Sequence, residues 1–263
     1  MKFGMPTLVE CKDINECVSV AAECGLDFVE INMSFPQYQP QALDSNLLCE
    51  LTKTYGIGYT IHADEMLNPF DFNGKVSGCY FQVMHDTISF AKMIGASVIN
   101  MHLLKGVYVT LPDKVVLLND VYFDNYVEKV RQFVEMCENA IGDSDLKIAI
   151  ENVDSNSFTE AQIKALDLML SSDAFALTLD TGHEYCLEFK DSHIYEKYRH
   201  KLIHLHLHDA VGKSAHLAFG DGEVDIKGSI AKLPRDKTCL IEVKTIDGLK
   251  KSVNYLKKAG VIS

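Results

Sequence analysis

The stretch Leu177-Thr178-Leu179-Asp180-Thr181-Gly182-His183-Glu184-Tyr185 decides how the chain is read. An apolar run beginning at Phe175 stops at Asp180, a glycine turns the backbone, and His183 follows within one turn. A strand that delivers a carboxylate and an imidazole at its C-terminal end is how metal sites are built on parallel barrels, where functional side chains come from the ends of several strands. Three other apolar runs finish in the same way, at Glu151, His206 and Glu242.

Working outward from that stretch, the alternation repeats. Strands are expected at Lys2–Met5, Asp27–Asn32, Tyr59–His62, Ser97–His102, Leu146–Glu151, Phe175–Asp180, Leu202–His208 and Thr238–Glu242. Helices are expected at Ile14–Cys24, Gln41–Tyr55, Lys75–Ile94, Asp120–Ile141, Thr159–Ser171, Ser192–His200, Ile226–Lys232 and Thr245–Ala259. Asp13 is placed to cap the first helix, and Gly25, Gly56, Gly95 and Gly142 stand where helices stop. Ala63–Gly74, Lys105–Asn119 and Ala210–Asp225 are long connections, the first a lid or wall for the mouth. Within Asp27–Asn32, parity puts Phe28, Glu30 and Asn32 on one face and Val29 and Ile31 on the other. The apolar face meets the helices, which leaves Glu30 and Asn32 inward near the mouth. Eight strand–helix units without a linker or a break in composition predict a single α/β domain, a (β/α)8 TIM barrel over residues 1–263.

Composition narrows the function. A hydrophobic fraction of 47% supports a sizeable core. The net charge of −12 argues against a nucleic-acid binder or an anionic-membrane binder. Arginine is confined to Arg131, Arg199 and Arg235, which weighs against a phosphorylated substrate held by guanidinium forks. The cysteines Cys11, Cys17, Cys24, Cys49, Cys79, Cys137, Cys186 and Cys239 form no Cys-x-x-Cys pair, and most fall in apolar patterns. They read as buried thiols of a reducing cytosol. The start, Met1 to Pro6, has no signal-peptide apolar region, and no run approaches a membrane span. The expectation is a soluble cytoplasmic protein whose oligomeric state the sequence leaves open.

Taken singly, a strand-end histidine is more often a hydrogen-bonded rim residue than a ligand, and Glu242 has a ready partner in Lys244. The set argues for more. His62, His102, Glu151, Asp180, His206 and Glu242 each end, or nearly end, a different expected strand. Carboxylates gathered near one barrel axis repel one another and carry a large desolvation cost. A divalent cation between Glu151, Asp180 and Glu242 removes both difficulties. In Ile203-His204-Leu205-His206-Leu207-His208, three imidazoles share a face and leucines fill the other. His204 lies deeper, where a hydrogen-bonding role is the simpler reading. His85, His193 and His200 fall on helices and are expected at the surface. Mixed carboxylate and imidazole donors suit Zn²⁺, Mn²⁺ or Co²⁺ better than Ca²⁺ or Mg²⁺.

The order Ile150-Glu151-Asn152, Asp180-Thr181-Gly182-His183, His206-Leu207-His208-Asp209, Phe219-Gly220-Asp221-Gly222 and Ile241-Glu242-Val243 resembles the xylose isomerase-like TIM-barrel superfamily. That group includes sugar and sugar-phosphate isomerases and epimerases, and the endonuclease IV apurinic-site nucleases. The resemblance covers nearly the whole chain. By match with the epimerase branch it implies one ion held by Glu151, Asp180, His206 and Glu242, with the two Glu also acting as acid and base and His183 contacting substrate oxygens. His208 and Lys105 are further expected substrate contacts. By match with the endonuclease branch it implies up to two more metals, with His62 and His102 serving one and His183 and His216 the other. That branch has an Asp two residues before its last His, where this chain has Ser214.

Two reaction classes remain. The first is isomerisation or epimerisation of a sugar or polyol ketone, with proton transfer by Glu151 and Glu242 beside a carbonyl-binding metal. The second is metal-assisted hydrolysis of a phosphodiester in abasic DNA. The additional histidines favour it; the acidic charge and the lack of a basic, aromatic-rich loop oppose it.

Overall fold

Eight strands of four to six residues close into a parallel barrel in the computed structural model, which describes residues 1–153, 157–234 and 236–262. They are β1 (Lys2–Pro6), β2 (Phe28–Asn32), β3 (Gly58–His62), β4 (Val98–His102), β5 (Lys147–Glu151), β6 (Phe175–Asp180), β7 (Leu202–Leu207) and β8 (Thr238–Ile241). Each pairs with its neighbour in chain order, and β8 closes on β1 through Lys2 opposite Thr238 and Phe3 opposite Cys239. This is the expected single-domain TIM barrel. Among the described residues no helix is long and apolar enough to cross a membrane.

Alternation along each strand produces two environments. The outward set, including Ile61, Ile99, Ile148, Ile150, Leu177, Leu179, Leu205 and Leu207, is buried in one core with helical Met84, Ile88, Phe133, Leu166, Met169 and Leu249. The inward set is graded by height. Val98, Ala149 and Ala176 make a small separate apolar plug. Two residues further along by parity stand Asn100, Glu151 and Thr178, with Glu30, Thr60 and His204 beside them in the interior, each at most 1% exposed. Strand register then brings the ends level: Asn32 lies opposite His62, His102 opposite Glu151, and Asp180 opposite His206.

Local chemistry sets the helix bounds and corrects some expectations. The first helix, Ile14–Cys24, begins where Asp13 accepts a hydrogen bond from Glu16 N and ends at Gly25, whose φ of 72° suits glycine. The second begins at Ser45 rather than Gln41, because the Asp44 side chain caps it by accepting from Asn46 N. The expected helix Asp120–Ile141 is divided into Leu118–Val121 and Phe123–Ile141 at Tyr122. Ser192–His200 shortens to a helix over Ser192–Lys197 followed by a 3-10 turn over Arg199–Lys201. Two connections carry hairpins of their own, Tyr108–Thr110 with Val115–Leu117 and Asp209–Val211 with Ser214–Leu217. His183 rides a short helix, Thr181–Cys186, that Asp180 caps through His183 N at 2.7 Å.

Candidate metal centre at the barrel mouth

Glu151, Asp180, His206 and Glu242 meet at the C-terminal end of the barrel. Each offers one ligand atom, and the four atoms lie within 4.8 Å of one another. Glu151 and Asp180 end β5 and β6, His206 is the fifth residue of β7, and Glu242 directly follows β8. His206 Nδ1 stands 2.9 Å from both Glu151 Oε1 and Glu242 Oε2. Despite that proximity, His206 Nδ1 and Glu242 Oε2 are buried without a hydrogen-bond partner. The atoms face a common point rather than one another. Ligands at right angles around a first-row or Mg²⁺-sized ion, each about 2.1 Å from it, stand roughly 3 Å apart. The residues present therefore fit a divalent cation.

The electrostatics agree in direction. Burial would raise the Glu151 carboxyl, but the His206 imidazole outweighs it, with His102 and His62 adding to the effect, and holds Glu151 well below the usual carboxylate range. Burial acts the same way on Glu242, where His206 and Lys244 prevail and keep it low. Burial pushes His206 down, yet Glu151, Glu30 and Glu242 together lift it well above the usual imidazole range. This interior is built to keep carboxylates ionised.

The four residues are held by neighbours. The Asn100 side-chain amide donates to Glu151 Oε2. Asn152 ties two strand ends together: its Nδ2 donates to Asp180 O and its Oδ1 accepts from Asp180 N, both at 2.9 Å. Lys244 Nζ donates to Glu242 Oε1 at 2.7 Å, which leaves Oε2 for the His206 side. Glu242 thus meets Lys244 with one oxygen and turns the other toward His206. Glu30, on the inward face of β2, sits below the four with Oε1 3.1 Å from His206 Nε2.

The other expected site residues gather in two flanking groups. His62 and His102 stand with Nε2 atoms 3.5 and 3.4 Å from Glu151 Oε2, rings edge to face at 4.8 Å. His183 and His216 pack at 5.3 Å, with His183 Nδ1 at 3.1 Å from Asn152 O. Ser214 is exposed on the hairpin that carries His216. His208, expected to touch substrate, is instead fully buried. Its Nδ1 accepts from His216 N at 2.9 Å, so the proton on Nε2 faces Asp180 Oδ1, also at 2.9 Å. It stands behind Asp180 because Leu207 ends β7 and the chain turns at once into the hairpin. His85, His193 and His200 are exposed as expected.

A cavity of about 740 Å³ opens above the centre, within the range of small-molecule sites. Lys105, expected as a substrate contact, lines it together with His62, His102, His183, His216, Glu242 and Lys244. Met66, Tyr80, Leu104 and Val107 form its apolar wall. Phe72 packs on Tyr122, and Tyr108 lies under the Lys105 ammonium.

Sequence reasoning passed over Asn100, Asn152 and the depth of Glu30. Parity with His102 could have flagged Asn100, and Asn152 is part of the Ile-Glu-Asn motif. How far below the mouth Glu30 lies depends on barrel stagger, which parity alone does not give.

The class this geometry defines is a closed parallel α/β barrel whose C-terminal mouth gathers carboxylates and imidazoles consistent with divalent-metal binding. The chain belongs to the xylose isomerase-like TIM-barrel family, whose model matches residues 18–259. Its structure is similar to that of a D-tagatose 3-epimerase-like protein, with 26% identity over 99% of this chain and 98% of that one and a TM-score of 0.77. It is also similar to D-psicose 3-epimerase from Clostridium cellulolyticum, solved with D-tagatose, at 16% identity over 99% and 98% and a TM-score of 0.74. Endonuclease IV from Thermus thermophilus shares the fold at 16% identity over 98% and 100%, with a TM-score of 0.69. No curated protein matches the chain in sequence.

Proposed function

We propose that this protein is a divalent-metal-dependent sugar isomerase or epimerase, acting on a ketose or related polyol ketone. The observation that carries the reading is the convergence of Glu151 Oε1, His206 Nδ1 and Glu242 Oε2, spaced as ligands of one ion and not as hydrogen-bonded partners. The likeness to a D-tagatose 3-epimerase-like protein supports it.

Glu151, Asp180, His206 and Glu242 would hold the ion, with Zn²⁺ or Mn²⁺ suited to these donors and Co²⁺ also able to fit. When bound, the cation would polarise a carbonyl and its neighbouring hydroxyl, which acidifies the C–H between them. Glu151 and Glu242 come from β5 and from the end of β8, on separated parts of the rim. Both are held ionised, so each can act as the base for a C–H presented to it. An epimerase needs that symmetry, since the base of the forward reaction is the acid of the reverse one. His183 and Lys105 line the cavity and supply polar contacts for sugar hydroxyls. His208 keeps Asp180 oriented from behind. The buried thiols Cys11, Cys17, Cys24, Cys137 and Cys239 go with a reducing, cytoplasmic setting.

The test is proton exchange. Incubated with a ketose panel in deuterated water, the metal-loaded protein should place deuterium at the carbon beside the carbonyl, because the carboxylate that returns the proton draws it from solvent. Glu151→Gln should lower that exchange by about 10²–10⁴-fold, the usual contribution of a general base. Exchange retained in the variant would overturn the assignment.

A second reading, metal-assisted phosphodiester hydrolysis, is favoured by the pairing of His62 and His102 on Glu151 Oε2. The net charge of −12 weighs against a duplex substrate. Cleavage of an abasic-site duplex at low salt, abolished by His102→Ala, would install the nuclease reading in place of the isomerase.

A further inference from the structure

Glu30 is one of the most enclosed carboxylates in the barrel, at 1% exposure, and it lies at the floor of a small cavity that it lines with His62, Glu242 and Lys244. Three groups meet it. Thr60 Oγ1 donates to its Oε2 at 2.8 Å, His204 Nε2 stands 3.3 Å from the same oxygen, and His206 Nε2 stands 3.1 Å from Oε1. His204 is anchored in turn, its Nδ1 2.6 Å from Thr238 Oγ1. A continuous row of side chains thus runs Thr238, His204, Glu30, His206 inside the barrel, ending where His206 Nδ1 faces Glu151 and Glu242.

Burying a carboxylate is costly unless its charge is met by specific partners. The partner that matters here is the ring whose opposite nitrogen faces the candidate metal. An imidazole ligand must be neutral and must present a lone pair, so His206 can serve through Nδ1 only if its proton is on Nε2. Glu30 is the carboxylate at that nitrogen. A carboxylate behind a ligand histidine fixes the ring's tautomer and orientation and raises its basicity. We infer that Glu30 is a positioning residue for the metal centre, holding the His206 proton on Nε2 so that Nδ1 is free to coordinate. The inference rests on the proposed metal site, and it adds a residue to which neither the motifs nor the strand ends assign a role.

The same atoms allow a competing arrangement, because Glu30, His204 and His206 also place ligand atoms within 4.8 Å of one another. A second ion there would bind Glu30 directly. The Thr60 hydroxyl already occupies Oε2, which favours positioning, whereas His204 Nε2 and His206 Nε2 are buried without a hydrogen-bond partner, so the Zn²⁺ stoichiometry decides between the two arrangements.

Zn²⁺ affinity separates the possibilities. Wild type, Glu30→Gln and Glu30→Asp would be titrated with Zn²⁺ against a competing chelator, with stoichiometry measured on the same samples. Nitrogen-15 spectra of the Zn²⁺-loaded wild type would read which His206 nitrogen carries the proton. Expected are a Glu30→Gln variant with unchanged stoichiometry and an affinity about 10–100-fold weaker, partial recovery in Glu30→Asp, and a proton on His206 Nε2. Equal affinity in wild type and Glu30→Gln would overturn the inference, as would loss of one equivalent of Zn²⁺ in the variant or a proton on Nδ1. If Glu30→Gln fails to fold, the tautomer in wild type still decides. Absence of Zn²⁺ binding by wild type would sink the metal centre and this inference with it, whereas tight binding by both proteins would remove only the role of Glu30.

Discussion

Gly182→Ala should unfold the protein at a markedly lower temperature, although alanine is the better helix former. Gly182 lies in the helix Thr181–Cys186, and a Cβ there would fall 1.9 Å from His208 Cε1 and 2.1 Å from its Nδ1. The ring cannot yield, because it is fully buried, accepts from His216 N and donates to Asp180. Overpacking of this kind costs about 1–3 kcal/mol. Displacing a hydrogen bond to an ionised carboxylate costs about 1.5–3 kcal/mol more. The gain in helix propensity returns about 1 kcal/mol. The balance is a loss of roughly 1.5–5 kcal/mol, and at ~2–4 °C per kcal/mol for a domain of about this size the melting temperature should fall by about 3–20 °C. Gly78→Ala is the control. Gly78 is helical and exposed with nothing within 4 Å of its Cβ position, so alanine there should stabilise by about 1 kcal/mol. Differential scanning fluorimetry of both variants reads the two signs directly. A Gly182→Ala protein that melts at or above wild type would refute the claim that this glycine makes room for the His208 ring behind Asp180.

Three further outcomes follow from the centre. Zn²⁺ at 100 times its dissociation constant should stabilise the wild type by ~2.7 kcal/mol, and Glu151→Gln should lose most of that rise in melting experiments. In the metal-free protein, burial lowers His62 but Glu151 lifts it to about 9, and His206 is likewise raised. The His62 stabilisation is complete below the unfolded value of 6.5 and is lost as pH rises through about 9, and the raised His206 acts in the same direction, so metal-free stability should fall across that window. Zn²⁺ holds His206 neutral, so for that ring the slope reverses: stability should rise toward 6.5 and then level off, and Zn²⁺ binding should release protons. A loaded protein that loses stability from pH 6.5 to 9 as steeply as the metal-free one would contradict this.

The barrel was legible because period-2 alternation and strand-end polar residues are local signals. Ile148 and Ile150 must face the helices, so Glu151 must face inward, and no tertiary knowledge is needed to say so. The same reasoning brought Glu151, Asp180, His206 and Glu242 to one place. It did not show that His208 is buried against Asp180, because parity gives a face and not a depth, and the chain leaves β7 at Leu207. The hairpins over Tyr108–Leu117 and Asp209–Leu217 were read as plain connections because strands of three or four residues carry too little alternation to register. Asn100 and Glu30 act across strands, on Glu151 and His206, and their partners are set by register and stagger.

The charge argument drawn from sequence also changes once the atoms are placed. Crowded carboxylates alone do not demand a cation here, because the raised imidazoles at His62 and His206 and the ammonium of Lys244 neutralise much of the charge. Direction distinguishes an ion pair from a ligand shell. His208 turns its Nε2 onto Asp180 and bonds it; His206 Nδ1 lies as close to two carboxylates and bonds neither. A barrel designed around self-neutralising pairs would orient both rings alike. Crystals grown with Zn²⁺ should therefore show anomalous density among Glu151, Asp180, His206 and Glu242, with the His206 ring in its present orientation. If the density is absent and the ring has rotated to hydrogen-bond Glu151 or Glu242, the centre is an ion-pair cluster, and the proton-transfer chemistry proposed for its two glutamates loses its Lewis acid.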